Sequence, residues 1–276
     1  MEVKSLAPDA LDELPFELGE RARDVQARAR RFTEEVLIPL EEQAEELNGR
    51  LPDDVVADVK REAQARGMVG GLHSPAHGGQ GWTRLEWALV EEQYGRSTNA
   101  IHWHVPNGYN VWAHASPEHR ERYLEPLLRG EIRDAYAVTE RGAGSDPSRI
   151  EATAVPTSDG FRIDAEKWFV TSGDVASVYV VMANAIVEDE RLPTLFVVDR
   201  EAEGIEFLDD PAFTHSYPDG HPTIAFRGVE VGAGDVIGGV GGGDELQRAW
   251  FMEERLGIAA RCVGAMWRLL EETTAW

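Results

Sequence analysis

Residues 136–146 read YAVTERGAGSD: a short apolar run, a Thr-Glu pair, then glycines either side of Ala143, then Ser145 and Asp146. Tyr136 and Val138 favour a strand, and Gly142 and Gly144 end it in a small polar loop. Up to about Asp134 the sequence before this stretch is helical in pattern, and after it the texture is that of strands. From Gly19 to Asn48, Val25, Phe32, Val36 and Leu40 recur three, four or seven apart, with Pro39 predicting a kink. A second helix starts after Pro52 with Asp53 and Asp54 in its first turn and stops at Gly67. SPAHGGQGW (74–82) is loop, Leu85 to Gly95 is a third helix with Glu91 and Glu92 outward, and Pro117 to Arg129 is a fourth.

Downstream, short runs rich in β-branched and aromatic residues are separated by Gly, Pro, Asp and Ser: Asp134–Thr139, Ile150–Val155, Phe161–Ala165, Trp168–Thr171, Val178–Ala183, Thr194–Val198 and Thr223–Phe226. No helical pattern lies between them, which predicts an antiparallel barrel or sandwich without parallel crossover units. From Asp244 one long helix runs to Trp276. Leu246, Ala249, Leu256, Ala260, Val263, Trp267 and Leu270 make its main stripe, while Trp250, Phe251, Ile258, Ala259 and Met266 are apolar on other faces. A helix apolar over most of its circumference needs neighbours on most sides, so a covering element is expected that the sequence does not contain. The class is α+β: a helical N-terminal domain (1–134), a middle β domain (135–235), and the first helix of a C-terminal helical domain (236–276).

The chain of 276 residues carries 50 acids against 27 bases, a net charge of -23, and only three lysines: Lys4, Lys60 and Lys167. A field of this sign repels phosphate, so nucleic acid and anionic membranes are not expected partners. The acidic N-terminus has no apolar signal core, and no stretch has the roughly 18 apolar residues of a membrane span, so the sequence reads as soluble and cytoplasmic. Cys262 is the only cysteine, which excludes intrachain disulfides and Cys-rich metal sites; it reads as a small core residue.

GGVGGGD (238–244) misses the dinucleotide spacing because Asp244 occupies the last glycine's place, and no βαβ unit surrounds it. It reads as a flexible lead-in to the helix. The pairs His73 with His77 and His102 with His104 have no carboxylate placed to complete a metal set. Glu253, Glu254 and Arg255 interrupt an otherwise apolar helix. A carboxylate in apolar surroundings gains basicity; at the solvent edge beside Arg255 it does not. Periodicity puts Glu253 on the main stripe with Glu254 beside it and does not choose between them.

The order of helical domain, YAVTERGAGSD, KWFVTSGDVASVYVVMA (167–183), PTIAFRGVEV (222–231) and a helix carrying EERLGIAARCVGA (253–265) resembles the acyl-CoA dehydrogenases, FAD enzymes that oxidise the Cα–Cβ bond of an acyl-CoA thioester. The likeness runs from about Phe16 to Trp276 and covers the family's first two domains and only its first C-terminal helix. It implies FAD as cofactor, with Tyr136, Val138, Thr139 and Gly144 near the flavin. Ser145 would face phosphates of the cofactor or of CoA, Phe169 would form an aromatic wall where many relatives have tryptophan, and Thr171 would place a hydroxyl near N5. It implies Glu254 as the base that takes the α-proton, with Arg255 beside the substrate. It also implies an acyl-CoA substrate, an electron-transfer flavoprotein or similar acceptor, and a homo- or hetero-oligomer that supplies the missing helices. Met252 and DGHPT (219–223) depart from the polar or basic residues common near CoA. Trp103, His104 and Trp112 read as narrowing a pocket or equally as core. Two other readings share the fold: a non-catalytic scaffold paired with a full-length relative, and another flavin enzyme such as a monooxygenase or nitroalkane oxidase.

Overall fold

The computed structural model describes residues 17–276; Lys4, Phe16 and most of the acidic opening lie outside that range. The first domain is built from α1 (Glu20–Phe32), α2 (Glu41–Glu46), α3 (Asp53–Ala65), α4 (Arg84–Tyr94), α5 (Pro117–His119) and α6 (Glu125–Arg129). Thr83 caps α4 in a reciprocal box: its hydroxyl accepts from the Glu86 amide while Glu86 accepts from the Thr83 amide. The irregularity expected at Pro39 is present, as a π-turn over Thr33–Leu37 followed by a 3₁₀ turn over Ile38–Leu40. Pro39 has no amide hydrogen, which breaks the helical ladder there.

Eight strands follow: β1 (Asp134–Ala137), β2 (Thr153–Pro156), β3 (Gly160–Lys167), β4 (Val178–Val187), β5 (Glu190–Asp199), β6 (Ile205–Asp209), β7 (Thr223–Gly232) and β8 (Val236–Ile237). They run in the order β6-β7-β3-β2-β4-β5-β8, with β1 also on β4. Most neighbours are antiparallel, but β1 and β2 both pair parallel with β4, against the expectation of a purely antiparallel domain. A parallel pair needs a long crossover, and here strands β2 and β3, instead of a helix, form the connection from β1 to β4. The stretch Trp168–Thr171 is loop, because Phe169 adopts a left-handed backbone at φ 53° and Ser172 at φ 62°.

Alternation along β4 sends Val178, Val180 and Met182 to one core and Tyr179, Val181 and Ala183 to another. The first core also takes Trp112, Leu124, Leu127 and Leu246, and so joins the sheet to the helical elements. The second is enclosed by the sheet's own curl. The rings of Phe161 (β3) and Phe196 (β5) are 5.3 Å apart, although in a flat sheet three strand spacings would separate them by about 14 Å.

The last helix, α7 (Gly243–Ala275), packs against α4. Its face toward α4 carries Gly257 and Gly264, both buried, and of the apolar stripe read from the sequence Leu246 is buried while Leu256, Val263 and Leu270 are exposed. A Cβ on Gly264 would sit 1.7 Å from the Glu92 carbonyl oxygen, and one on Gly95 2.1 Å from the Arg261 carbonyl oxygen. The two helices approach closely enough that side chains are excluded at those points. Ion pairs then hold the face: Arg261 with Glu91, Arg96 with Glu271 at 2.6 Å, and Arg268 with Glu41 at 2.8 Å. Glu91, expected to face outward, is therefore buried, and Cys262, expected in the core, is exposed. Outward, Met266 and Leu269 are 60% and 63% exposed. Among the described residues no helix is long and apolar enough to cross a membrane.

Candidate functional site

The loop that ends β1 is fixed from beneath. Glu140 accepts from the Lys167 ammonium at 2.6 Å and from the amides of Glu151 and Ala152 at 2.6 and 3.1 Å. Lys167 is 0% exposed and also donates to the Val138 carbonyl at 3.0 Å. Burial lowers its pKa to about 8, with Glu140 opposing the shift. The tip above is open. Gly144 and Ser145 are exposed, and a Cβ on Gly142 or Gly144 would meet nothing within 4 Å. Packing within this chain does not require glycine there; close approach of a ligand to the backbone would.

Thr139 accepts from the Trp168 amide at 2.8 Å, which sets the 168–172 loop beside the end of β1. In that loop Phe169 is 47% exposed despite its left-handed backbone. Its ring packs edge-on against Trp168 and Phe213 at 5.8 and 5.9 Å, and a half-exposed aromatic ring held in a left-handed backbone fits a stacking surface for a planar group. The Thr171 hydroxyl lies 3.0 Å from His221 Nδ1. Tyr136 points the other way: its ring packs 4.7 Å from Trp250 and 5.2 Å from Tyr109. Val138 lies in the same core. Any contact that these two offer at the loop is through backbone.

Behind the Thr171 loop lies a cavity of about 130 Å³, walled by α4, the 101–110 segment, Ser172 and α7. Trp82, Trp87, Trp103, Tyr109 and Trp250 give it an aromatic lining. A polar network closes the seam between the domains. Ser172 donates to Asp219 at 2.6 Å and accepts from the Trp103 indole at 3.0 Å, while Arg133 donates to Asp219 at 2.8 Å and to the Trp103 carbonyl at 2.6 Å. Trp112 and His104 stay outside the lining, buried.

Glu253 and Glu254 both line this cavity, and their partners distinguish them. Glu253 meets the exposed Arg84 at 3.4 Å. Glu254, half-buried, has Arg261 at 3.8 Å, and desolvation raises its pKa while Arg261 opposes the rise. Arg255 is exposed, with its guanidinium 5.5 Å over the Phe251 ring, and Ser145 stands at the loop tip; neither lines the cavity. The sequence reading missed Glu91, Arg261, Ser172 and Lys167. Glu91 and Arg261 left a trace, as charges within otherwise helix-packing segments, but nothing local marks them as facing each other.

Residues 19–131 match the family described as acyl-CoA dehydrogenase, N-terminal domain, and residues 135–224 the one described as acyl-CoA dehydrogenase, middle domain. The "probable medium-chain specific acyl-CoA dehydrogenase 2, mitochondrial" of Caenorhabditis briggsae is 27% identical over 272 residues, covering 96% of this chain and 65% of that protein. The (R)-benzylsuccinyl-CoA dehydrogenase of Thauera aromatica is 28% identical, covering 94% and 68%. The chain thus spans about two thirds of the length of these relatives. Among solved structures, an FAD complex of PigA superposes with a TM-score of 0.83 at 24% identity, covering 95% of this chain and 70% of that one.

Proposed function

Because the chain belongs to the acyl-CoA dehydrogenase family, we propose that it dehydrogenates the α,β-bond of an acyl-CoA thioester, with FAD as cofactor and Glu254 as the base. The observation that carries this is the position of Glu254: a carboxylate of raised basicity in an aromatic cavity that is also lined by Ser172, the residue directly after the Phe169–Thr171 loop. FAD, when bound, supplies the acceptor for the hydride that leaves Cβ. Phe169, Thr139, Thr171 and the open glycine loop with Gly144 fit its flavin and phosphates, and Tyr136 and Val138 would contribute backbone.

The chain's own residues do the rest. Trp82, Trp87, Trp103 and Trp250 exclude water from the acyl group, which strengthens every charge interaction inside the cavity. Glu254 accepts the α-proton at its carboxylate, and a base of raised pKa takes a weakly acidic proton more readily. The Ser172–Asp219–Arg133–Trp103 network holds the loop of Thr171 against the helical domain, so the base and the flavin face stay in register. Ser145 and Arg255, both on the outside, would meet the CoA arm. Electrons would leave to an electron-transfer flavoprotein or a similar acceptor. The outward apolar residues of α7, Met266 and Leu269 among them, would pack against helices supplied by an oligomeric partner.

The test is Glu254→Gln in the assembled, flavin-loaded protein. Flavin reduction by acyl-CoA should slow by about 10²-fold or more, while Glu253→Gln, whose partner is an exposed arginine, should change it little. Equal effects of the two substitutions, or normal reduction by Glu254→Gln, would remove Glu254 from the role.

A further inference from the structure

Glu91 does nothing in the reaction described above, yet it is buried at the cavity wall. It is 8% exposed, on α4, in direct contact with Arg261 of α7. The same guanidinium lies 3.8 Å from Glu254, about two turns earlier on α7. Arg261 therefore stands between two carboxylates, one in close contact and one at the limit of an ion pair. Its placement is enforced by packing: a Cβ on Gly257 would meet the Trp87 ring at 2.8 Å and Arg261 Nη1 at 3.4 Å, so the glycine leaves room for both.

We propose that Glu91 and Arg261 are a positioning pair for Glu254: Glu91 claims the guanidinium and so limits how much positive charge reaches the neighbouring carboxylate. The inference rests on the reading of Glu254 as the base, but it concerns the electrostatics of the three side chains and can fail separately. A carboxylate directly paired with arginine has its basicity suppressed, by about one to three pKa units. A base needs the opposite. With Glu91 occupying Arg261, Glu254 keeps a cation near enough to fix its place and too far engaged to quench it.

Other groups facing Glu254 do not supply this control. On α7, Glu253 pushes its pKa up and is itself paired with Arg84. From the 101–110 segment, burial pushes the Tyr109 phenol well up and the His102 imidazole down to about 3, so both are neutral at pH 7. Tyr217, across the seam, is likewise held neutral by burial. The charges of Arg133 and Asp134 at the far wall oppose each other, and Arg133 is already paired with Asp219. Arg261 is the one nearby cation with a choice of partner among the described residues.

The test is a titration of the Glu254 carboxyl in the full chain with ¹³C-labelled glutamate, its resonance assigned by its loss in Glu254→Gln. No turnover is required, so the result stands whatever Glu254→Gln does to flavin reduction. Glu91→Gln keeps the shape and releases Arg261 to Glu254, and should lower the Glu254 pKa by about one unit. Arg261→Gln leaves Glu91 to take a proton and hydrogen-bond the amide, and should raise the Glu254 pKa. In the loaded enzyme the acid limb of the flavin-reduction profile should move with it, to lower pH in Glu91→Gln. A pair that served packing alone, without acting on Glu254, would leave the Glu254 pKa unmoved in both variants. If either folded variant leaves the Glu254 pKa where it was, or both move it the same way, the pair does not tune the base.

Discussion

Two buried carboxylates, Glu140 and Glu91, each face a cation, and their surroundings could hardly differ more. Around Glu140 every polar partner is internal: Lys167, the Glu151 and Ala152 amides, and beyond the lysine the Val138 carbonyl. Around Glu91 the cation is shared, a cavity begins, and a second carboxylate lies across it. A saturated pair has one arrangement and serves as a pin, here beneath the glycine loop. An unsaturated pair beside a cavity can respond to what enters or to the protonation of its neighbour.

The largest expected effect that could break this comparison is at the pin. Lys167→Met leaves the Glu140 charge buried against two amides only and should cost about 3–5 kcal/mol of unfolding free energy, measured by urea denaturation. A loss below about 1 kcal/mol would mean that the Glu140 amide contacts suffice and the lysine is no pin. Next comes the seat of the second pair. Gly264→Ala places a methyl against the Glu92 carbonyl oxygen, and overpacking of this kind costs about 1–3 kcal/mol. It should lift α7 from α4, seen as faster amide exchange along α7 with the middle domain unaffected; equal exchange in wild type and variant would show that the close approach is not what holds Arg261 in place. The smallest effect tests the edge of the site. Thr171→Val removes a hydroxyl that meets His221 at 3.0 Å and should weaken flavin binding by about 1 kcal/mol without changing the urea midpoint. Unchanged flavin affinity would detach Thr171 from the cofactor.

Much of the fold was legible along the chain because local chemistry writes it there. The strand texture beginning at Asp134, the stops at Gly67 and Gly130, and the break at Pro39 follow from backbone preferences that act within a few residues. The same reading placed the glycine loop, but it took Trp168–Thr171 for a strand where the structure has a loop, and it left Glu253 and Glu254 undistinguished. What it missed shares one cause. The regular stripe of Leu256, Val263 and Leu270 on α7 gave no sign that glycines and arginines occupy the face that meets α4. Periodicity reports that two faces differ; it does not say which one has a neighbour. Glu91 was placed outward for the same reason.

By itself the sequence determined most of the order of helices and strands and the polar glycine loop after β1, because these depend on dihedral preferences and on short spacings; the flavin-site residues came only from the family resemblance. Only the tertiary structure decided that β1 and β2 both lie parallel beside β4, that Lys167 is fully enclosed, and that Glu91 and Glu254 flank one guanidinium. Those are contacts between residues far apart in the chain, Glu91 and Arg261 by 170 positions, and their energies depend on burial and distance, which no local pattern encodes.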